Sequence, residues 1–215
     1  MIGLLAACLI LAGCETPMCR INSLKPGYRP DNVFLYTSGL SFELKRVAVL
    51  PMAHDAQQMD LADGCEALGP ILQSELFKTK RFEIISVSPE SLRNRTGRPA
   101  WTGAEVLPPD FFDSLHEMYG CDAVLFCQLT VFRAYTPVAV GWRMKLVDVR
   151  TRQTLWAVDE LFDAGQKAVR NGAGNFEVDK QQTSDDTRDD WLVQNSPRRF
   201  GQYAAAQILE TLPKR

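Results

Sequence analysis

This sequence contains few of the side chains from which catalytic and metal sites are usually built. Its 215 residues include only two histidines, His54 and His116. His116 is followed by Glu117, but no second histidine stands four residues further on, so the zinc-protease pattern is absent. The nucleophile elbow of hydrolases, a phosphate-binding loop and a Cys-x-x-Cys pair are missing as well. We therefore expect no enzyme, no metal, no cofactor and no small-molecule substrate.

The remaining polar clusters are better explained as solvent-exposed positions. His116 is expected on the solvated side of a helix, and His54 lies with two aspartates in a loop directly after a strand. Residues 171–175 are rich in glycine, but they neither follow a clear strand nor open a helix, which is typical of a flexible loop. The aspartates within 185–190 lack the alternating spacing of a calcium-binding loop.

Strong net charge and long apolar runs are also lacking. The formal charge of −2 at pH 7 gives no reason to expect nucleic acid as a partner. The longest apolar run, residues 2–11, is preceded by neither Lys nor Arg. In a helix such a run rises roughly 15 Å, half of a hydrocarbon core of roughly 30 Å. A transmembrane anchor is therefore excluded for this run, and no later segment is long and apolar enough to be one.

The end of this apolar run carries the most informative motif of the chain. Leu11-Ala12-Gly13-Cys14 resembles the lipobox of bacterial lipoproteins. In that family the cysteine thiol receives a diacylglyceryl group, the chain is cut just before the cysteine, and the new amine is acylated, as with palmitate. The resemblance implies a signal peptide over residues 1–13, cleavage between Gly13 and Cys14, and lipid attachment at Cys14. Simple cleavage after Gly13, without lipid, is the alternative.

The residue after the cysteine bears on which membrane holds the protein. In enteric-type sorting an aspartate at that position favours retention in the inner membrane, and here the residue is Glu15. The resemblance therefore implies the outer membrane, with the domain facing the periplasm. Each buried methylene contributes about 0.8 kcal/mol, so two or three acyl chains hold a protein stably at a bilayer.

The rest of the chain is predicted to form one domain behind a tether. Residues 14–45 mix prolines and glycines with few periodic apolar positions, which is typical of a tether. Residues 46–213 are predicted to form a single periplasmic domain with a polar surface loop at about 165–195. Hydrophobic residues make up 46% of the sequence and charged residues 23%, as in ordinary globular proteins.

Apolar runs, alternation and helical spacing predict the fold class. About five strands are predicted, at 46–51, 82–87, 122–132, 142–147 and 154–162. Helices are predicted at about 65–80, from Ser88-Pro89, at about 110–119 and from Ser196-Pro197 onward. The class is therefore α/β (α+β), with a mixed central sheet, flanking helices, antiparallel hairpins in the second half and a C-terminal helix.

The cysteines do not form an evident disulfide framework. Four of the six fall in the predicted mature chain in addition to Cys14, namely Cys19, Cys65, Cys121 and Cys127. Cys121 and Cys127 cannot pair with each other within one strand, because six residues span about 20 Å. Buried free thiols are expected for these two. Other pairings remain open.

Three passages of the predicted domain carry a resemblance to known proteins. Arg46–Pro51 resembles a first strand written as a basic residue before Val-Ala-Val-Leu-Pro, and 119–125 resembles a Gly-x-Asp-x-hydrophobic strand entry. Residues 146–156 resemble the hairpin Leu-Val-Asp-x-x-Thr-Gly-x-x-Leu-Trp, with Arg152 in place of the glycine. The group includes the curli-secretion lipoprotein, the outer-membrane lipoprotein activators of penicillin-binding proteins, and the N-terminal domain of the Tol–Pal translocation protein.

This resemblance implies a protein-binding or assembly module of the cell envelope. Its partner would be another envelope protein or a second copy of the chain. The alternative is an oligomeric structural or secretion-channel component like the curli-secretion lipoprotein, although no pair of alternating ten-residue segments predicts membrane strands. Trp101 and Tyr135 are candidate partner contacts because both are aromatics in predicted loops. They could instead fold back onto the domain.

Overall fold

A six-stranded mixed sheet organises the computed structural model, which describes residues 27–180 and 195–214. The strands are β1 (Val33–Leu35), β2 (Arg46–Val49), β3 (Glu83–Ser86), β4 (Ala123–Arg133), β5 (Ala139–Asp148) and β6 (Thr154–Asp163). The helices are α1 (Met59–Thr79), α2 (Pro89–Thr96), α3 (Phe111–Tyr119), α4 (Lys167–Lys180) and α5 (Pro197–Glu210). The strand order across the sheet is β1-β6-β5-β4-β2-β3.

The sheet combines parallel and antiparallel pairing, as the sequence predicts. β2 runs parallel to both β3 and β4, whereas β4, β5 and β6 form two successive antiparallel hairpins. β1 adds an antiparallel edge strand beside β6. The predicted α+β class is confirmed, and the five predicted strands correspond to β2–β6.

The two faces of the sheet are covered differently. On one face α1 and α5 pack over the sheet and enclose the larger core, to which β5 contributes Trp142, Met144 and Leu146. On the other face a smaller core lies between α2, α3 and the ends of β2 and β4. Arg143 points away from the larger core, because successive side chains of a strand alternate between faces.

Local signals place several helix ends where the sequence predicts them. The backbone N–H of Ser91 donates to the Ser88 hydroxyl at 3.1 Å, which caps α2 ahead of Pro89. α1 begins at Met59, earlier than predicted, and Gly64 explains how this first part packs. A Cβ atom at Gly64 would lie 2.6 Å from the side chains of Leu129 and Phe132, so only glycine allows this approach to β4.

Residues 27–45, predicted to be part of a tether, lie against the domain. They contain β1, and the side chains of Leu40 and Leu44 are buried in the larger core. These contacts are widely spaced along the chain and depend on partners distant in sequence, so they leave no periodic apolar pattern. The predicted tether residues before 27 lie outside the described part of the chain.

The predicted polar loop at about 165–195 begins with helix α4. The glycine-rich segment 171–175, predicted to be a flexible loop, lies within this helix. Gly172 serves close packing: a Cβ there would collide with the Tyr203 hydroxyl, and a Cβ at Gly27 would lie 3.0 Å from the Gly172 Cα. Packing in the core therefore outweighs the low helix propensity of glycine here. Residues 181–194, which include the aspartates at 185–190, lie outside the described residues.

In the β5–β6 turn, Arg152 stands at the position where the resembling proteins have glycine. Arg152 has φ of 62°, the left-handed conformation that glycine adopts most readily. Its guanidinium lies 2.8 Å from the carboxylate of Asp113 and stacks over the ring of Phe112 at 4.8 Å. Contacts to α3 thus offset the backbone strain at this position.

The predicted buried thiols are confirmed for Cys121 and Cys127, which are buried and free of disulfides. Cys65 is also free and is half-buried. Burial raises the pKa of Cys127 from its ordinary value of 9.0 to about 12.

We expect the Cys127 thiol to make stability fall at alkaline pH. Below pH 9 the folded and unfolded chains both keep its proton, whereas between pH 9 and about 12 only the unfolded chain loses it. The free energy of unfolding should then fall by about 1.4 kcal/mol per pH unit from this thiol. Urea unfolding with reductant at pH 8, 9.5 and 10.5 measures it. In Cys127→Ala the free energy of unfolding should fall less steeply with pH than in the native protein. Equal slopes in the two proteins would contradict this role of the thiol.

Candidate functional site

Half of one sheet face is not covered by any described helix. α2 and α3 pack over β2 and β4 on this face, but not over β1 and β6. We call the uncovered part the open face and define it by Phe34, Arg143, Lys145, Ala157 and Asp159. Side chains on this surface are available to a partner without any rearrangement of the core.

Strand register arranges the open face in two rows. One row contains Phe126, Lys145, Ala157 and Phe34, on β4, β5, β6 and β1 in that order. The next row contains Gln128, Arg143 and Asp159, followed by Asn32, whose backbone oxygen accepts from the Asp159 N–H at 3.2 Å. The first row is mainly apolar and the second entirely polar.

A groove of about 260 Å³ lies over the first row. Ala157 is small and forms a dip between the side chains of Lys145 and Phe34. The segment Gly103-Ala104 closes one side of the groove. A Cβ at Gly103 would lie 2.8 Å from Cδ of Lys145, so glycine lets this loop rest directly on the lysine side chain.

The charges around this groove are unequally compensated. The Nε of Arg143 donates to Asp159 at 2.7 Å, so these two charges neutralise each other. The Nζ of Lys145 donates to the backbone oxygen of Gly103 at 2.9 Å. No carboxylate of the described residues pairs with Lys145. The Oε1 of Gln128 is buried and accepts no hydrogen bond from the described residues.

Large apolar side chains are exposed next to the open face. Phe34, Leu35, Tyr36 and Phe42 are between 47 and 81% exposed, and we call them the β1 edge patch. β1 is also an edge strand, with no described strand on its outer side. Exposed strand edges with apolar side chains are surfaces on which other chains pair, and proteins usually protect them.

A buried carboxylate fixes β1 in place. Glu160 is only 5% exposed, and its Oε1 accepts the backbone N–H groups of Asp31 at 2.7 Å and Asn32 at 2.8 Å. The Tyr28 hydroxyl donates to the other carboxylate oxygen. Burial and the neighbouring Glu160 together raise the pKa of Tyr28 well above its ordinary value. The position of the β1 edge patch thus depends on this carboxylate.

A second cleft, of about 550 Å³, lies between segment 36–44, the end of α3 and the β5–β6 turn. Its polar groups mainly hold the backbone. Asp122 Oδ2 accepts the N–H groups of Lys45 at 2.8 Å and Arg46 at 2.9 Å, and the Nδ1–H of His116 donates to the Cys121 carbonyl at 2.8 Å. Within 27–180 and 195–214, no group of His, Cys, Asp and Glu side chains is arranged to hold a metal ion.

Of the two aromatic residues predicted as candidate partner contacts, one is buried and one is exposed. Trp101 is buried: its ring packs against Phe111 at 5.7 Å, and its Nε1 donates to Thr96 at 2.8 Å. Trp101 therefore takes the alternative position left open above, in which the 98–109 loop folds its aromatic residue back onto the domain, into the smaller core. Tyr135 is exposed near the tip of the β4–β5 hairpin. Gly13 and Cys14 lie outside the described residues.

The groove itself was not predicted from the sequence. Alternation indicates that Lys145 faces away from the core, but nothing local indicates that Phe34, Gly103 and Ala157 meet there. These residues come from four separate segments and are brought together only by the sheet and the loop. Of the helices in the described part of the chain, none combines the length and the apolar character needed to cross a bilayer.

Comparison with known proteins shows similarity in fold only. No family model and no curated protein matches the sequence. The PelC dodecamer from Paraburkholderia phytofirmans is 13% identical, covers 87% of this chain and 97% of its own, and has a TM-score of 0.47. Lipoprotein GNA1162 from Neisseria meningitidis is 18% identical, with 64% and 97% covered and a TM-score of 0.39. The LpoB C-terminal domain from Escherichia coli is 16% identical, with 55% and 82% covered and a TM-score of 0.36.

Of these three structures, GNA1162 is described as a lipoprotein. All three TM-scores are below 0.5 and all three identities are below 20%. The similarity therefore assigns neither a family nor an activity to this chain.

Proposed function

We propose that this chain is a lipid-anchored outer-membrane lipoprotein whose periplasmic domain binds another envelope protein or a second copy of itself. The β1 edge patch carries the proposal, since Phe34 and Leu35 are exposed on an open edge strand and Tyr36 and Phe42 are exposed in the segment that follows it. Burying apolar surface contributes roughly 25 cal/mol per Å², and aromatic residues dominate many interfaces. A partner strand or loop is the occupant that would bury these side chains.

The motif ending at Cys14 supports the membrane part of the proposal. From Cys14 to Gly27 a fully extended chain spans at most roughly 45 Å. β1 follows Gly27 within a few residues, so lipid at Cys14 would keep the β1 edge patch close to the bilayer. Confinement of this kind raises the effective concentration of the domain for membrane-bound or wall-associated partners. The protein would act by position and binding, without chemistry of its own.

Photo-cross-linking in cells tests the binding part. We expect a benzophenone amino acid at position 34 to form a discrete cross-linked product, because Phe34 lies in the β1 edge patch. Position 59 is the matched control, since Met59 is also exposed and apolar but lies at the start of α1. Mass spectrometry of the product identifies the partner.

The yield at position 34 should exceed that at position 59 by at least about fivefold. A product containing a second envelope protein indicates a binding module, and a product containing only this chain indicates self-assembly. Equal yields at the two positions, or no product at 34, would contradict the proposed role of the β1 edge patch.

A further inference from the structure

We propose that the groove over Ala157 binds an apolar side chain with a carboxylate beside it, presented by an extended peptide of the protein partner. This inference rests on the proposed function and specifies the chemistry of the partner. It follows from three properties of the groove: its volume, its charge and its hydrogen-bonding capacity.

The size of the groove suits a single large side chain. Its volume of about 260 Å³ lies below the roughly 300–1,000 Å³ of sites for drug-sized ligands. Phe34, Phe126 and Ala157 line it with apolar surface. A pocket of this kind on an otherwise open sheet is typical of the sites that receive one aromatic or aliphatic anchor at a protein interface.

The charge of the groove selects an anion. Arg143 is neutralised by Asp159, which leaves Lys145 as the uncompensated charge among the described residues that line the groove. Lys145 is partly buried beneath Gly103, so solvent screens its ammonium less than that of a fully exposed lysine. A carboxylate beside the apolar anchor would supply the missing opposite charge, in a charge-assisted hydrogen bond.

Hydrogen bonding favours a peptide over a simple acyl carboxylate. Gln128 lines the same groove, and its buried Oε1 accepts no hydrogen bond from the described residues. A buried acceptor without a donor costs stability, so an occupant that brings an N–H is favoured. A peptide backbone brings one next to each side chain, whereas a fatty acid brings none.

Binding of small probes to the mature protein purified from its native cells tests this inference. The probe is acetyl-Gly-Gly-(4-fluoro)phenylalanine with a free carboxylate, observed by fluorine NMR. We expect the C-terminal amide of the same peptide to bind at least about tenfold more weakly, because it lacks the charge. We expect 3-(4-fluorophenyl)propionate, which has the same ring and a carboxylate but no N–H, to bind several-fold more weakly than the peptide.

Two variants locate the binding. Lys145→Met nearly keeps the length of the side chain and should weaken peptide binding about tenfold. Lys80→Met, a matched change at the end of α1, should leave the affinity for the peptide unchanged. Ala157→Leu fills the groove and should abolish binding. Both altered positions lie on the open face, and thermal unfolding of each variant checks that the fold persists. Peptide binding that is unaffected by Lys145→Met or by Ala157→Leu would overturn the inference.

Cross-linking separates this inference from the proposed function. In cells, Lys145→Met should lower the cross-linking yield from position 34 several-fold, and the cross-linked partner peptide should carry Asp, Glu or a C-terminus beside an apolar residue. If Lys145→Met leaves the yield from position 34 unchanged, and the peptide and its C-terminal amide bind equally well, the groove inference fails while the proposed function stands. If the native protein gives no product from position 34, the proposed function itself fails. A probe series in which 3-(4-fluorophenyl)propionate binds as tightly as the peptide would assign the groove to acyl carboxylates and overturn the peptide proposal.

Discussion

Replacement of Cys14 by serine is expected to release the protein from the membrane fraction. A serine hydroxyl does not receive the diacylglyceryl group, because the modification requires a thiol nucleophile. Without acyl chains, the apolar run 2–11 rises only roughly 15 Å in a helix and cannot span a bilayer. We expect the membrane-bound amount to fall at least about tenfold after fractionation and a carbonate wash. Immunoblotting of both fractions measures the change.

Cys19→Ser is the matched control for this experiment. It removes a thiol from the same short stretch of sequence but leaves Leu11-Ala12-Gly13-Cys14 intact. The control should remain in the membrane fraction at the native level. Release of both variants, or of neither, would contradict lipid attachment at Cys14.

Glu160→Ala is expected to cause a large loss of stability. The carboxylate is buried and accepts two backbone N–H groups and the Tyr28 hydroxyl. Its removal leaves three donors unpaired, for which we expect a loss of about 3 kcal/mol or more in the free energy of unfolding. Glu160→Gln keeps acceptor oxygen for the backbone and should cost less. Urea unfolding measures both.

The destabilisation caused by Glu160→Ala should be concentrated at β1. Hydrogen exchange at residues 33–35 should accelerate in Glu160→Ala more than exchange in β4, because β1 is the element that the carboxylate fixes. Glu43→Ala is the control: it removes an ion pair with Arg150 in which both side chains are 79% exposed, and such pairs contribute little. A loss for Glu160→Ala no greater than that for Glu43→Ala would show that Glu160 does not hold β1.

Much of the sheet was predictable from the sequence because its signals are local. Apolar runs and alternation identify β2–β6, and Ser88-Pro89 identifies the start of α2. Each of these signals lies within a few residues of the structure that it specifies.

The elements that the sequence did not predict depend on distant partners. β1 is held through Glu160, which lies 132 residues from Tyr28 along the chain. α4 contains glycines that would ordinarily disfavour a helix, yet Gly172 allows the close approach of Tyr203. The groove requires the same kind of long-range assembly. Sequence patterns report the periodicity of a single segment, and such contacts leave no periodicity to detect.

The sequence does not show which of the candidate partner-contact residues is exposed and which is buried. Trp101 and Tyr135 have the same signal in the sequence, an aromatic residue in a predicted loop. The first is buried against Phe111 and the second is exposed. In the smaller core Trp101 packs against Phe111 and donates a hydrogen bond to Thr96, two partners that lie on different helices. That difference is tertiary, so residue type and local pattern do not separate the two.

The intact mass of the protein purified from membranes tests the anchoring proposal most directly. The account predicts a chain that begins at Cys14 and carries the added mass of a diacylglyceryl group and an N-terminal acyl chain. Treatment with base, which cleaves the two ester-linked chains, should remove the corresponding mass and leave the amide-linked chain in place. A mature chain that begins at Cys14 with no added mass, or one that retains residues 1–13, would contradict it.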